Sequence, residues 1–277
     1  PSYDPDNRKT LSGEQLRNRA LTDVYEPGST MKPVTVALAL EHKKVTPQTV
    51  ISTDPGKITI NGATIGDVHN YGSLTVNGII QKSSNVGTTK IAQRLSNQDM
   101  WENFRMIGLG QKPDLPFPGI ASGRLRPWKT WRPIEHATMS YGYGLSTSLF
   151  QMTRAYSVFA NEGVLMPVTL VRDGVADASG KIRPTSRADG VRIYNPQVAK
   201  NVMHMLHLVT MPGGTAQQAR TMGYSVGGKT GTARKQEGRR YSESRYRASF
   251  VGVAPIEEPR IAVGVMIDEP KGSIYGG

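Results

Sequence analysis

No cysteine occurs in the 277 residues. That excludes disulfides, thiolate nucleophiles and Cys-ligated zinc. No apolar run approaches the roughly 18 residues that a membrane-spanning helix needs; the most apolar helical stretch, Val34 to Leu40, is too short. Pro1 to Leu11 is polar and turn-rich, unlike a secretory signal. The first residue is Pro rather than Met, so an excised domain is expected, with any anchor or targeting segment outside it. There is no internal repeat, and the Gly-rich stretches lack the Gly-x-x-x-x-Gly-Lys-Ser/Thr cradle of a nucleotide site. Acidic residues are scarce beside basic ones, 22 against 34, for a net charge of +12. Such a balance suits an acidic partner: nucleic acid, anionic lipid or an anionic substrate. Zinc-finger spacing and RNP-type aromatics are missing, which argues against nucleic acid. One dense basic patch, Arg234, Lys235, Arg239, Arg240, Arg245 and Arg247, reads as a solvated surface.

What is present fits a folded domain with a sizeable core: 37% of residues are hydrophobic and 20% charged. Residues 1–28 read as extended and Ser29 to His42 as a helix, with Pro33 tolerated in its first turn. Residues 50–66 hold short β-prone pieces broken by Pro55-Gly56 and by Asn61-Gly62, the latter a hairpin signal. Leu74 to Gln81 and Val86 to Leu95 read as helices around the polar break Lys82-Ser83-Ser84-Asn85. Gln98 to Ile107 is a further helix stopped by Gly108. Residues 111–134 read as a long surface connection, Ser148 to Asn161 as an amphipathic helix, and residues 173–190 as a tolerated insertion. Pro196 to Val209 is a helix capped by Asn195, and Thr215 to Met222 a short one. Three β-like runs close the chain, Tyr224 to Arg234, Arg247 to Ala254 and Arg260 to Ile267, expected as antiparallel neighbours. Helices first and strands last indicate an α+β domain, an antiparallel sheet flanked by helices with a helical region on one side.

Three short patterns carry chemistry. In Ser29-Thr30-Met31-Lys32, positions i and i+3 of a helix share a face, which puts the Lys32 amine beside the Ser29 hydroxyl. A serine needs a base before it attacks, and lysine serves as one only when burial or a nearby cation lowers its pKa. Backbone N–H groups at the helix start offer an oxyanion donor. In Ser83-Ser84-Asn85, Ser83 can relay a proton between Lys32 and a leaving amine, and Asn85 can hold a substrate amide. In Lys229-Thr230-Gly231-Thr232, on a strand flanked by Gly227 and Gly228, glycine would let a bound peptide approach as an added strand. Lys229, Thr230 and Thr232 offer donors to a terminal carboxylate, and the Thr232 N–H a second oxyanion donor. Each pattern is weak alone, but each occurs once, at positions 29, 83 and 229, in its expected context. Together they are the set that marks penicillin-binding proteins and class A β-lactamases.

The chain resembles the transpeptidase domain of class B penicillin-binding proteins, of the division-specific (FtsI-type) branch. The resemblance rests on Asn18-Arg19-Ala20 through Glu26-Pro27-Gly28-Ser29-Thr30-Met31-Lys32, on Gln81-Lys82-Ser83-Ser84-Asn85-Val86-Gly87 and on Ser140-Tyr141-Gly142-Tyr143-Gly144-Leu145. Gly228-Lys229-Thr230-Gly231-Thr232-Ala233-Arg234 and Ile274-Tyr275-Gly276-Gly277 complete it. It implies one transpeptidase domain over 1–277, without the N-terminal anchor and pedestal and without the C-terminal helix that packs on the sheet. Reduced stability of the isolated fragment is expected from that. It implies Ser29 attack on a peptidoglycan stem peptide ending in D-Ala-D-Ala, resolution by an acceptor amine, and acylation by β-lactams. It implies substrate contacts from Val68, Ser84, Tyr143 and Tyr275, and no cofactor or metal. The implied location is the periplasmic face of the bacterial inner membrane, among division-machinery membrane proteins including a glycosyltransferase. Ile274 departs from the family's pair of aromatics before Gly-Gly, which loosens the aromatic wall.

Blander readings compete with these. Ser29, Ser83 and Asn85 could be caps or loop residues, and Tyr141 and Tyr143 packing residues. His204 and His207 sit three apart on a helix, but no third metal ligand stands out. A serine β-lactamase would share the acylation chemistry and needs a water-activating Glu; Glu135 lies in the right region without the expected following Asn. A non-catalytic β-lactam sensor would share the same pocket, and a charge-driven nucleic-acid binding module would use the basic surface instead.

Overall fold

The computed structural model describes residues 12–13, 17–170, 175–176, 179, 182–183, 189–238 and 240–271. After a short helix α1 (Arg19–Thr22), a 3-10 turn (Gly28–Met31) runs into α2 (Lys32–Glu41). The switch has a sequence cause. Pro33 has no N–H, so the Ser29 carbonyl cannot receive the usual i+4 bond; it accepts the Lys32 N–H instead. Every residue of α2 from Lys32 to Leu40 is buried, which makes it the central helix of the core.

Two small antiparallel pairs follow. β1 (Val50–Ser52) pairs with β4 (Ser73–Thr75), and β2 (Lys57–Ile60) with β3 (Ala63–Gly66) around the Asn61-Gly62 turn. Then come α3 (Val76–Lys82), α4 (Asn85–Ala92) and α5 (Asn97–Met106), with Thr75, Ser84 and Ser96 accepting cap hydrogen bonds at their starts. α6 (Pro133–Ser140) was not expected from the sequence; Pro133 at its first turn and Glu135 accepting the Arg132 N–H start it. α7 (Leu149–Ala160) carries a capping box from Ser148 and Gln151. Short strands β5 (Val164–Leu165), β6 (Val175–Ala176), β7 (Ile182–Arg183) and β8 (Val191–Arg192) lead to α8 (Pro196–Thr210), capped by Asn195. The helix expected over Thr215 to Met222 shrinks to one 3-10 turn, Gln217–Ala219.

The main sheet has the order β11 (Ile261–Asp268), β10 (Arg240–Ala254), β9 (Gly227–Glu237), all antiparallel. The fold is therefore the α+β arrangement expected, an antiparallel sheet with helices. One core joins α2, α3, α4, α5, α7 and α8 to Val251 and Val253 of the sheet. The basic patch is partly neutralised rather than simply solvated: Lys235 and Arg247 pair with Asp268, and Lys235 and Arg245 with Glu269. Arg239 lies outside the described residues.

Candidate active site

The turn that carries Ser29 is held from three sides. The Thr30 hydroxyl donates to the Pro27 carbonyl at 2.8 Å, the buried Tyr156 hydroxyl donates to the Thr30 carbonyl at 2.7 Å, and the Gly28 N–H donates to the Gly142 carbonyl at 3.1 Å. Gly142 has φ of +90°, and a Cβ there would lie 2.2 Å from the Gly28 carbonyl oxygen. Only glycine admits that contact, which accounts for one glycine of the Tyr141-Gly142-Tyr143 stretch. Ser29 itself is partly exposed.

Ser29 and Lys32 stack along the 3-10 turn, where positions i and i+3 eclipse. The Lys32 amine also meets Ser83, the residue read as its proton relay. It donates to the Ser83 carbonyl at 2.5 Å and lies 3.0 Å from the Ser83 hydroxyl. Lys229 reaches the same hydroxyl at 2.8 Å and the Thr230 carbonyl at 3.2 Å. Both lysines are fully buried. Burial, then the charge of Lys229, pull the Lys32 pKa far below its ordinary value against the opposing charge of Asp67. Burial pulls Lys229 down to about 7. Two buried amines sharing one hydroxyl repel each other when both are charged. The arrangement favours a neutral Lys32 as base and a Lys229 poised to gain a proton when an anion binds. Ser83 holds this bridge from a left-handed conformation, φ 60° and ψ 39°, at the break between α3 and α4.

Asp67 fixes that break and was missed in the sequence. Its carboxylate accepts bonds from the Ser84 hydroxyl and the Asn85 N–H, each at 2.5 Å, and from the Val86 N–H at 3.0 Å. Ser84, expected to touch substrate, is instead fully buried and caps α4 through the Gly87 N–H. Asn85 donates through Nδ2 to the Gly66 carbonyl at 2.9 Å. Its Oδ1 has no protein partner among the described residues, so it is left to accept a ligand N–H.

The strand glycines serve a different end from the one expected. A Cβ on Gly231 would sit 2.5 Å from the Ser249 hydroxyl and 3.0 Å from both the Pro27 carbonyl and Thr30 Cγ2. Gly227 and Gly228 likewise make room for α8 and for Phe250. Their space is filled by the protein's own parts, Ile256 and α8 at Gly227, Phe250 and Val251 at Gly228, and Ser249 and the nucleophile turn at Gly231, rather than by a peptide. β9 is still an edge strand of its sheet, so its outer backbone edge has no strand partner among the described residues. Thr230 is 8% exposed and its hydroxyl meets that of Thr215 at 2.9 Å.

Tyr143 reaches the Thr232 carbonyl at 3.5 Å and packs edge-on against Tyr141 and Tyr241. Glu26, just upstream of the nucleophile, accepts from the Gly144 N–H and the Tyr241 hydroxyl. Val68 is 74% exposed next to Asp67, and Tyr275 lies outside the described residues. His207 faces the Val226 carbonyl at 3.0 Å. No group of three metal-ligating side chains occurs among the described residues.

Glu135 bears on the choice between transferase and hydrolase. Its carboxylate is occupied by the Arg132 N–H at 2.8 Å and the Arg126 guanidinium at 2.7 Å. Burial favours its protonation, but these bonds outweigh that and hold its pKa at about 2. A carboxylate so engaged is a poor base for activating water.

The family model for the penicillin-binding protein transpeptidase domain matches residues 1–277. The chain belongs to the penicillin-binding protein transpeptidase family, in its class B, FtsI-type branch. It is 43% identical over 278 residues to a protein named probable peptidoglycan D,D-transpeptidase PenA from Neisseria meningitidis serogroup B, covering all of this chain and 46% of that protein. It is 38% identical over 280 residues to peptidoglycan D,D-transpeptidase FtsI of Escherichia coli K12, covering all of this chain and 45% of that protein. A solved structure described as the apo transpeptidase domain of Burkholderia pseudomallei penicillin-binding protein 3 superposes with a TM-score of 0.87 at 53% identity. It covers 95% of this chain and 77% of that one. The chain thus spans less than half the length of these curated relatives. No helix among the described residues is long and apolar enough to cross a membrane.

Proposed function

We propose that this penicillin-binding domain is a peptidoglycan D,D-transpeptidase acting through a Ser29 acyl-enzyme. The observation that carries the reading is the convergence of Lys32 and Lys229 on the Ser83 hydroxyl at 3.0 and 2.8 Å, at the foot of the Ser29 turn. The donor stem peptide adds along β9, with its terminal carboxylate at Lys229, Thr230 and Thr232 and a backbone N–H on Asn85 Oδ1. Ser29 Oγ attacks the penultimate D-Ala carbonyl as Lys32 takes its proton. The oxyanion is held by the N–H groups of Ser29 and Thr232. As the peptide bond breaks, Lys32 passes that proton through the Ser83 hydroxyl to the departing D-Ala amine, leaving an ester on Ser29 and Lys32 neutral again. An amine of a second stem peptide then attacks the ester and gives its proton to Lys32, which returns it to Ser29 Oγ as the ester bond breaks. β-Lactams present the same carbonyl and carboxylate and leave Ser29 acylated. The setting is septal wall synthesis at the periplasmic face of the inner membrane, held by an N-terminal helix, beside division proteins including a glycosyltransferase.

The engaged Glu135 supports this reading over a β-lactamase, because it leaves the acyl-enzyme without that base for hydrolysis. The test has two parts. Mass spectrometry after exposure to benzylpenicillin should find a persistent adduct on wild type and none on Ser29→Ala; rapid turnover to penicilloate would favour the lactamase. A donor ending in D-Ala-D-Ala, mixed with an amine acceptor, should then give cross-linked product. A stable adduct with no transfer would leave only a sensor.

A further inference from the structure

The loop after α8 reaches the motif strand through one side chain that the mechanism above does not use. Met211 to Ala216 is closed on itself by the Gly214 N–H donating to the Met211 carbonyl and the Ala216 N–H to the Val209 carbonyl, both at 2.9 Å. It is also clamped from the side. Lys82 Nζ donates to the Gly213 carbonyl at 2.8 Å and Gln81 Nε2 to the Pro212 carbonyl at 3.3 Å. These two residues immediately precede Ser83, so the loop is registered against the catalytic break. From it Thr215, exposed to solvent, sets its hydroxyl 2.9 Å from that of Thr230. Lys229 Nζ lies 3.4 Å from the Thr230 hydroxyl.

A hydroxyl has one proton to give. For Thr230 to donate it to a ligand carboxylate, its other neighbours must donate to Thr230 rather than accept from it. A lysine ammonium can only donate. A threonine hydroxyl can do either, and it is the Thr215 hydroxyl that stands at hydrogen-bonding distance. We propose that Thr215 is a positioning residue of the carboxylate subsite: it donates to Thr230 Oγ1 and so directs the Thr230 proton at the anionic end of the ligand. Each bond in such a chain polarises the next. The pair therefore discriminates a free carboxylate from an ester or amide at the same place. The inference rests on the reading of Thr230 as a carboxylate donor.

The test compares second-order acylation rates of the whole chain by benzylpenicillin and by its methyl ester, in wild type, Thr215→Val, Thr215→Ser and Thr230→Val. Valine keeps the shape of threonine and removes only the hydroxyl. Thr215→Val should slow acylation by the acid roughly three- to tenfold, the loss of about one hydrogen bond, and by the ester less than about twofold. Thr215→Ser should restore the acid rate. Equal slowing of both ligands would make the loop merely structural and overturn the proposal, as would no slowing of either. If Thr230→Val shows the acid-selective loss and Thr215→Val does not, the proposal falls alone. If Thr230→Val shows none, the carboxylate reading falls first and takes the proposal with it.

Discussion

Replacing Lys229 by Met should stabilise the fold while abolishing acylation, and the gain should fade as pH rises. Burial takes the Lys229 pKa from 10.5 to about 7. At about 1.4 kcal/mol per pH unit, that is a ceiling of about 5 kcal/mol of native-state penalty. The unfolded chain holds its proton up to about pH 10.5, and the folded chain releases it near 7. Between those values the unfolded state binds more protons, so wild-type stability rises with pH; below 7 the full penalty applies. The same linkage leaves a penalty of about 4 kcal/mol at pH 7 and about 2 kcal/mol at pH 9. Met fills a similar volume without charge. The substitution gives up bonds to the Ser83 hydroxyl and the Thr230 carbonyl, roughly 1 kcal/mol each. A net gain of about 2 kcal/mol at pH 7 remains, falling to near zero at pH 9. For a chain of this size that is a rise in Tm of about 5 °C at pH 7. Thermal melts of both proteins at pH 7 and 9 test it. A Lys229→Met protein melting below wild type at pH 7, or an offset equal at the two pH values, would refute the claim that desolvation of this amine outweighs the bonds it makes.

Other outcomes follow from the same geometry. The pH profile of kcat/KM for acylation should be a bell with a carboxylate ligand: the acid limb is protonation of Lys32, and the alkaline limb, beginning near pH 7, is loss of the Lys229 proton. With the methyl ester the alkaline limb should disappear. Asp67→Asn removes a charged acceptor from three donors at the start of α4 and should cost about 2 kcal/mol, seen as a lower urea midpoint together with slower acylation. Gly231→Ala drives a methyl against the Ser249 hydroxyl and the Pro27 carbonyl. It should cost about 1–3 kcal/mol and slow acylation more than tenfold, and adding Ser249→Ala should recover only part, because the backbone clash at Pro27 stays.

Much of the site was legible because its chemistry is written locally. The spacing of Ser29 and Lys32, the polar break at Ser83 to Asn85 and the Lys229-Thr230-Gly231 strand each announce themselves within a few residues. The hairpin at Asn61-Gly62, the Asn195-Pro196 helix start and the antiparallel final strands follow from turn, cap and alternation chemistry in the same way. Local spacing is incomplete where a distant segment also takes part. The i, i+3 rule brings Lys32 over Ser29, while the amine's hydrogen bonds go to Ser83, which sits in another segment and presents both a carbonyl and a hydroxyl. α6 escaped notice because it opens at the end of a Pro- and Arg-rich stretch whose composition reads as loop, while its start is secured by Glu135 folding back on Arg132.

The residues that were missed share a physical type. Asp67, Tyr156 and Thr215 each act on the backbone or hydroxyl of a motif residue many positions away, on Asn85, Thr30 and Thr230 respectively. None belongs to a pattern, since an Asp after a hairpin, a Tyr in an amphipathic helix and a Thr after Gly-Gly are all ordinary. Their role exists only once the chain has closed, and it consists of using one polar group to hold another still. Ser83 shows why such holders are needed. It keeps a strained left-handed backbone and presents one hydroxyl to two buried amines, a state that neither helix flanking it would favour alone. Gln81 and Lys82 tie its approach to the Gly213 loop, and Asp67 ties its exit. Loosening either tie should therefore reach the chemistry through Ser83 even though neither touches a ligand. Lys82→Met tests the approach: it removes the bond to the Gly213 carbonyl, so acylation should slow severalfold with a Tm change under about 2 °C. An unchanged acylation rate would show that Ser83 is held by its own helix ends and not by these clamps.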